Sequence, residues 1–175
     1  MIAWISGQMA LQFAASHPQR VQTLVLISVA ARHSAAENYP EGNSPEAMAS
    51  YIDFARKHWG TERWAVAHCP SLANNERARS FHARWQRTMA APKAIVQGMT
   101  LEQGLDARPS LAGIRAPTLV MARNNCRWLP SSLSRYLVDE IGGARFVELP
   151  GADLLPFWET PEFILDHIEE FIERY

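Results

Sequence analysis

Residues 114–156 read IRAPTLVMARNNCRWLPSSLSRYLVDEIGGARFVELPGADLLP. Two short apolar runs, Thr118–Met121 and Arg145–Leu149, flank one helical stretch. Ser131 is the expected cap of a helix over Ser132–Ile141, with Leu133, Tyr136, Leu137 and Ile141 on its buried face. Gly142 and Gly143 end it, as glycine does where a helix closes in left-handed geometry. A strand–helix–strand unit of this kind makes two parallel strands joined by a right-handed crossover. In such sheets chemistry gathers beyond the carboxyl ends of the strands, so the residues after Met121 and after Leu149 matter most.

On the amino-terminal side, Val21–Ser28 holds the run Leu24-Val25-Leu26-Ile27, expected to be a strand buried on both faces. Gln8–Ser16 is apolar on nearly every side and reads as a buried helix, which Pro18 ends. Met1–Ser6 has the look of a strand end. Residues 30–112 contain no convincing strand. Ser44 with Pro45, Thr61, Asn74 and Pro92 open four amphipathic helices there. These helices read as a helical insertion over approximately 34–110 between two strands. Their aromatic residues, including a stripe of Ala78, Phe81, Trp85 and Met89, read first as packing. A tunnel lined by Trp59, Trp64 or Trp85 is the functional alternative. Thr160 and Pro161 open the last helix, whose apolar face carries Phe163, Ile164, His167, Ile168, Phe171 and Ile172.

Composition narrows the function classes. The 175 residues are 47% hydrophobic and 20% charged, with net charge −1. That is ordinary for one globular domain, and no polybasic surface points to nucleic acid or an anionic membrane. Cys69 and Cys126 stand far apart without a second ligand at metal spacing, so both read as free thiols of a reducing compartment. Neither a signal peptide nor a run of roughly 18 apolar residues is present, and a cytoplasmic protein is expected. The residues suggest no cofactor, metal cluster or phosphate loop, and they specify no small-molecule ligand.

Four stretches together resemble the α/β-hydrolases. MALQFAASHPQRVQTLVLIS resembles the helix after the nucleophile elbow and the next strand, IRAPTLVMARNN…LP the strand and loop that carry the acid, and GARFVELPGADLLPFWE the last strand and the histidine loop. KHWGTERWAVAHCPSLANNE is similar to the cap of a branch that includes hydrolase-like domains attached to adenylate or guanylate cyclases. The resemblance implies a partial α/β-hydrolase fold from the nucleophile elbow onward. About three parallel strands would be flanked by helices, with the earlier strands and the oxyanion loop outside this chain.

The resemblance also places the catalytic triad. Its serine falls on Trp4, with the elbow glycines on Ile2 and Ser6, its acid falls on Cys126 and its histidine on Leu154. A serine hydroxyl needs a positioned base, and neither tryptophan nor leucine can serve as nucleophile or base. Replacement of all three implies a catalytically silent module acting by interaction, or a truncated piece of a cyclase-linked protein. The alternative is an active hydrolase of small esters with a displaced nucleophile, Ser6 before Gly7 or the thiol of Cys126. Asp153, beside the histidine position, is expected to cap or solvate its loop. Without earlier strands, Val21–Ser28 is expected to present an open edge unless the first residues cover it. A homodimer or pairing with a missing amino-terminal half would fill that edge.

Overall fold

The computed structural model describes every residue except Ser6, and of Ile5 the backbone alone. Four strands form one parallel sheet in chain order: β1 (Ile2–Ile5), β2 (Leu24–Val29), β3 (Thr118–Arg123) and β4 (Arg145–Leu149). Register pairs Ile2 with Val25, Leu24 with Thr118 and Leu119 with Arg145. Every residue of β2 and β3 is buried, the outcome required of an apolar run with helices over both faces.

Strand alternation divides the core in two. Leu24 and Leu26 face α1 (Gln8–Ser16) and, through Val120, Leu137 and Ile141, a helix that lies between β3 and β4. Val25 and Ile27 face the other way, onto Ile164, Ile168 and Phe171 of the last helix.

Four strands stand where about three were expected. The first residues pair with β2 and cover its edge, so the open edge expected at Val21–Ser28 belongs instead to β1, where Ile2 and Trp4 are exposed. The fourth strand is the one that the short apolar stretch at the start of the chain suggested, too short to show a period of its own.

Residues 33–105 form a separate compact unit, inserted in the chain between β2 and β3. It holds α2 (Pro45–His58), α3 (Glu62–His68), α4 (Glu76–Met89) and α5 (Pro92–Glu102). Ser44 and Thr61 accept from the N–H groups of Ala47 and Trp64, as the capping pattern predicts. The cap of α4 is Asn75 and not Asn74, with Oδ1 3.0 Å from the Ala78 nitrogen. The expected stripe on α4 is also corrected. Phe81 and Met89 are 49% and 59% exposed, while His82, Ala83 and Gln86 face inward. Burial of His82 and Gln86 is possible because each pairs with the other, 2.9 Å apart at four-residue spacing.

The sheet unit clamps the two chain crossings that lead to this insertion. Arg32 and Arg108 both bind the Asp106 carboxylate, at 3.0 and 2.6 Å, and the Ala107 N–H donates to Ala31 O at 2.9 Å. Arg108 in particular holds the Asp106 carboxyl well below the usual carboxylate range. Beyond this clamp, α6 (Ser131–Glu140) begins one residue earlier than expected, after Pro130, and α7 (Pro161–Ile172) follows Thr160. Among the described residues, no helix is long and apolar enough to cross a membrane.

Candidate functional site

The turn after β1 and the loops after β3 and β4 lie at the carboxyl edge of the sheet, where this topology places chemistry. Their geometry depends on two glycines. A Cβ on Gly7 would stand 2.3 Å from a methyl of Val29, so the turn between β1 and α1 admits no side chain there. Gly151 has φ +102° and a Cβ on it would stand 2.1 Å from the Glu159 carboxyl, which forces glycine at the start of the β4 loop.

Arg123 ends β3 and is 1% exposed. Its guanidinium donates to Pro150 O at 2.6 Å, to Thr160 Oγ1 at 3.2 Å and to Glu159 O. Glu159 turns its carboxylate back into the loop. Oε2 accepts from the N–H groups of Ala152 and Asp153 at 2.8 and 3.0 Å, with Arg123 Nη1 3.6 Å away. Asn124 and Asn125 donate their N–H groups to Leu149 O and Gly151 O, stitching the β3 loop to the β4 loop. Thr160 therefore serves this anchor and does not cap α7. It has φ +51° and makes no cap bond.

This frame buries Asp153 completely, with Leu154 and Cys126 nearly so. Burial sets aside solvation, one of the two roles expected of Asp153. The loop also crosses back over the sheet edge, since Phe157 meets Trp4 of β1 edge-to-face with ring centres 5.5 Å apart. Burial first, and then the Asp153 charge, push the Cys126 thiol up. The N–H groups of Leu129 and Trp128 and the charge of Arg123 offset this only in part. Near neutral pH Cys126 is a protonated thiol, the unreactive form.

The three triad positions inferred by resemblance therefore do lie at one edge, but they hold no base and no activated nucleophile. Trp4 packs on Phe157, Cys126 is a buried thiol and Leu154 is buried aliphatic surface. Ser6, the other nucleophile candidate, lies outside the described residues. The two histidines of the sheet unit are elsewhere. His17 stacks on Phe13 at the far end of α1, and His167 sits on α7 beside Phe163 and Glu170.

In the helical unit His68 is stacked on Trp64, 3.9 Å between ring centres, and bonded through both ring nitrogens to Trp64 O and the Tyr51 hydroxyl. Trp59 donates its indole N–H to Ala90 O at 2.9 Å. These aromatic residues pack the unit. Its open cavity of about 690 Å³ is lined by Met48, Ile52, Arg56 and Thr100 among others, and not by Trp59, Trp64 or Trp85. Among the described residues, no group of three or more His, Cys, Asp or Glu side chains is placed to hold a metal ion.

Sequence reasoning missed Arg123, Glu159 and Gln8. The first two were detectable as charges, one closing an all-apolar strand and one just before a helix-opening proline. Gln8 shows only in three dimensions: it is fully buried at the start of α1, and neither atom of its amide has a hydrogen-bond partner.

No protein-family model matches the chain. Curated relatives do. The chain is 27% identical to a pimeloyl-[acyl-carrier protein] methyl ester esterase of Neisseria meningitidis serogroup C, over 99% of this chain and 69% of the relative. It is 26% identical to the protein of that name from Aromatoleum aromaticum, over 96% of this chain and 71% of the relative. Among solved structures it superposes on an esterase from Exiguobacterium antarcticum with TM-score 0.82 at 16% identity, and on an enol-lactonase from Burkholderia xenovorans LB400 with TM-score 0.76 at 20% identity. It covers 98% and 95% of its own length in these pairs, and spans 65% and 62% of the two solved chains.

The fold is the α/β-hydrolase fold. The expectation of a catalytically silent interaction module is overturned, because the relatives that align along nearly the whole chain carry the name of an esterase. A hydrolase is the reading these relatives favour.

Proposed function

We propose that the protein is a hydrolase of small carboxylic esters or related acyl compounds, working at the carboxyl edge of the sheet with Ser6 as its nucleophile. The observation that carries this reading is the match to methyl ester esterases along 99% of the chain. The choice of nucleophile comes from chemistry. Cys126 is buried and protonated, whereas Ser6 is a hydroxyl that directly precedes Gly7 in the sequence, a displaced counterpart of the elbow serine. In this reading the Ser6 hydroxyl oxygen attacks the ester carbonyl carbon and its proton passes to a base. The carbon–oxygen bond to the alcohol then breaks, the alcohol leaves with that proton, and water hydrolyses the acyl-serine. Asp153, the fully buried carboxylate of these loops, is the proton acceptor we assign.

Turnover of p-nitrophenyl acetate and of a methyl ester of a short acyl chain tests the reading. Ser6→Ala should lower kcat by about a thousandfold or more. A fluorophosphonate probe should label the peptide that contains Ser6. Wild-type turnover in Ser6→Ala would overturn the assignment. A link to cyclases is a separate proposal whose support is the sequence KHWGTERWAVAHCPSLANNE alone.

A further inference from the structure

Two cavities of the helical unit open along the same pair of helices. The larger, about 690 Å³, is walled on α2 by Pro45, Met48, Ala49, Ile52 and Arg56. These positions recur every three or four residues, so they form one face of the helix with Arg56 at its far end. Thr100 and Gly104 meet that face from the end of α5. The smaller cavity, about 280 Å³, is lined by Arg56 together with Pro92, Lys93 and Val96 from the start of α5. Arg56 belongs to both, so the two helices run antiparallel and the two spaces meet at its side chain. A helix rises about 16 Å from Pro45 to Arg56, the span of an extended chain of roughly a dozen atoms.

The lining chemistry selects an occupant. Met48, Ala49, Ile52 and Val96 are apolar. The two hydroxyls on the larger cavity are committed within the unit, Ser34 Oγ donating to Gln103 O at 3.1 Å and Thr100 Oγ1 to Val96 O at 2.7 Å. The charged residues that line the cavities, Arg56 and Lys93, stand at one end and are both cations. Asp53 neutralises neither fully: its carboxylate binds Lys57 at 2.6 Å and meets Arg56 only at 3.4 Å. The positive end of α5 lies at the same place, with no acidic residue in its first turn. Along its length α5 carries Ile95, Val96, Met99 and Leu101 yet buries no residue fully, so an apolar cover stabilises it.

We infer that this groove holds a free medium-chain fatty acid, with its carboxylate between Arg56 and Lys93 and its chain along Ile52 and Met48 toward Pro45. The carboxylate serves both cations, and each methylene laid on the apolar face leaves water. The larger cavity has the volume of an ordinary small-molecule site. A membrane of anionic lipid would meet the two cations but could not fill the recess beyond them. The inference uses no residue of the sheet-edge loops and stands apart from the ester-hydrolase reading.

Calorimetric titration of the full chain with decanoate, below its micelle concentration, tests it. Binding should show Kd on the order of 100 µM, an efficiency within the range of small ligands. Octanoate, with two fewer methylenes to bury, should bind about tenfold more weakly. Decyltrimethylammonium, with the same chain and the opposite charge, should not bind. Arg56→Gln and Lys93→Glu alter exposed side chains, so both variants should keep their fold. Each should weaken decanoate by about two- to fivefold, and the two together by about tenfold or more. Ala49→Phe puts a ring into the larger cavity from an exposed helix position and should remove binding.

Absence of decanoate binding at millimolar concentration overturns the inference. Equal binding of decyltrimethylammonium also overturns it, since the groove would then take any alkyl chain. So does wild-type affinity in the Arg56→Gln/Lys93→Glu double variant, which decides alone if Ala49→Phe loses its helical circular dichroism. Sedimentation with phosphatidylglycerol vesicles, without decanoate binding, would assign the two cations to a membrane surface and overturn the fatty-acid site.

Discussion

The helical unit and the sheet unit both bury polar side chains, but their partners lie at different distances along the chain. In residues 33–105 the buried polar residues His68, His82 and Gln86 each have a partner one helical turn away. His68 binds Trp64 O four residues back, Gln86 binds His82 four residues back, and Tyr51 closes the cluster. Such pairs stabilise individual helices and fix how neighbours pack. In the sheet unit the partners are distant. Arg123 reaches Pro150, Glu159 and Thr160, residues 27 to 37 positions further on. Those bonds hold loops at the edge where ester chemistry is proposed. Local pairing builds a stable insertion, while long-range pairing builds a site, and Gln8 has no partner of either kind.

The largest expected effect comes from breaking the long-range set. Arg123→Met keeps an apolar stem in the core and removes the guanidinium, leaving Glu159 facing the loop N–H groups without its counter-charge. Removing one member of a buried charged network costs about 3–5 kcal/mol. For a chain of this size that lowers Tm by roughly 10 °C. Ester turnover should fall with it, because Asp153 depends on the loop that Arg123 pins. Calorimetry and p-nitrophenyl acetate kinetics check both. A variant melting within about 2 °C of wild type would place Arg123 on a par with ordinary surface charges, and the contrast between the units would fail.

The helical unit should respond to acid instead. Burial pushes both His68 and His82 down to about 4. His33 moves the same way by burial, with Glu102 opposing. In the unfolded chain each titrates near 6.5. Between those limits the unfolded state binds protons that the native state does not, so stability is full above about pH 6.5 and is lost as pH falls toward 4. The loss is at most roughly 3 kcal/mol for each of His68 and His82. Urea unfolding followed by tryptophan fluorescence at pH 7, 6 and 5 reads the slope. His82→Asn keeps a partner for Gln86 and carries no proton, and should remove about half of it. An unchanged slope would mean that these histidines are not buried neutral.

How much of this the sequence disclosed follows the same division. The runs at Leu24–Ile27 and Thr118–Met121, the caps Ser44 and Thr61 and the stop at Gly143 all act through neighbours within a few residues, and each was legible. The inward face of α4 was not, since apolar count favoured Phe81 and Met89 while a hydrogen-bonded pair made His82 and Gln86 the buried residues. Thr160 looked like a cap until Arg123, 37 residues away, claimed its hydroxyl. The candidate site was legible as a place but not in its chemistry. The resemblance put the acid and histidine positions on Cys126 and Leu154, in the loops after β3 and β4. Substitution at those positions then suggested inactivity, although Glu159 lay a few residues on, where contacts to Ala152, Asp153 and Arg123 define its place.

Cys126 gives the smallest expected effect and separates the two nucleophile candidates. Its thiol is 5% exposed and held protonated by burial and by the Asp153 charge, so it should react slowly with a disulfide reagent in the native protein and rapidly in urea. Cys126→Ala removes one sulfur from a packed loop and should cost about 1 kcal/mol, with ester turnover within about twofold of wild type. Inhibition by a thiol reagent should follow the slow modification rate and disappear in Cys126→Ala. The opposite pattern, turnover lost in Cys126→Ala and kept in Ser6→Ala, would assign the attack to sulfur. It would also require a thiolate that the buried environment disfavours. In that case the Arg123 charge, so far outweighed by burial, would have to be the group that frees it, and Arg123→Met would then abolish thiol reactivity while leaving Ser6 unlabelled.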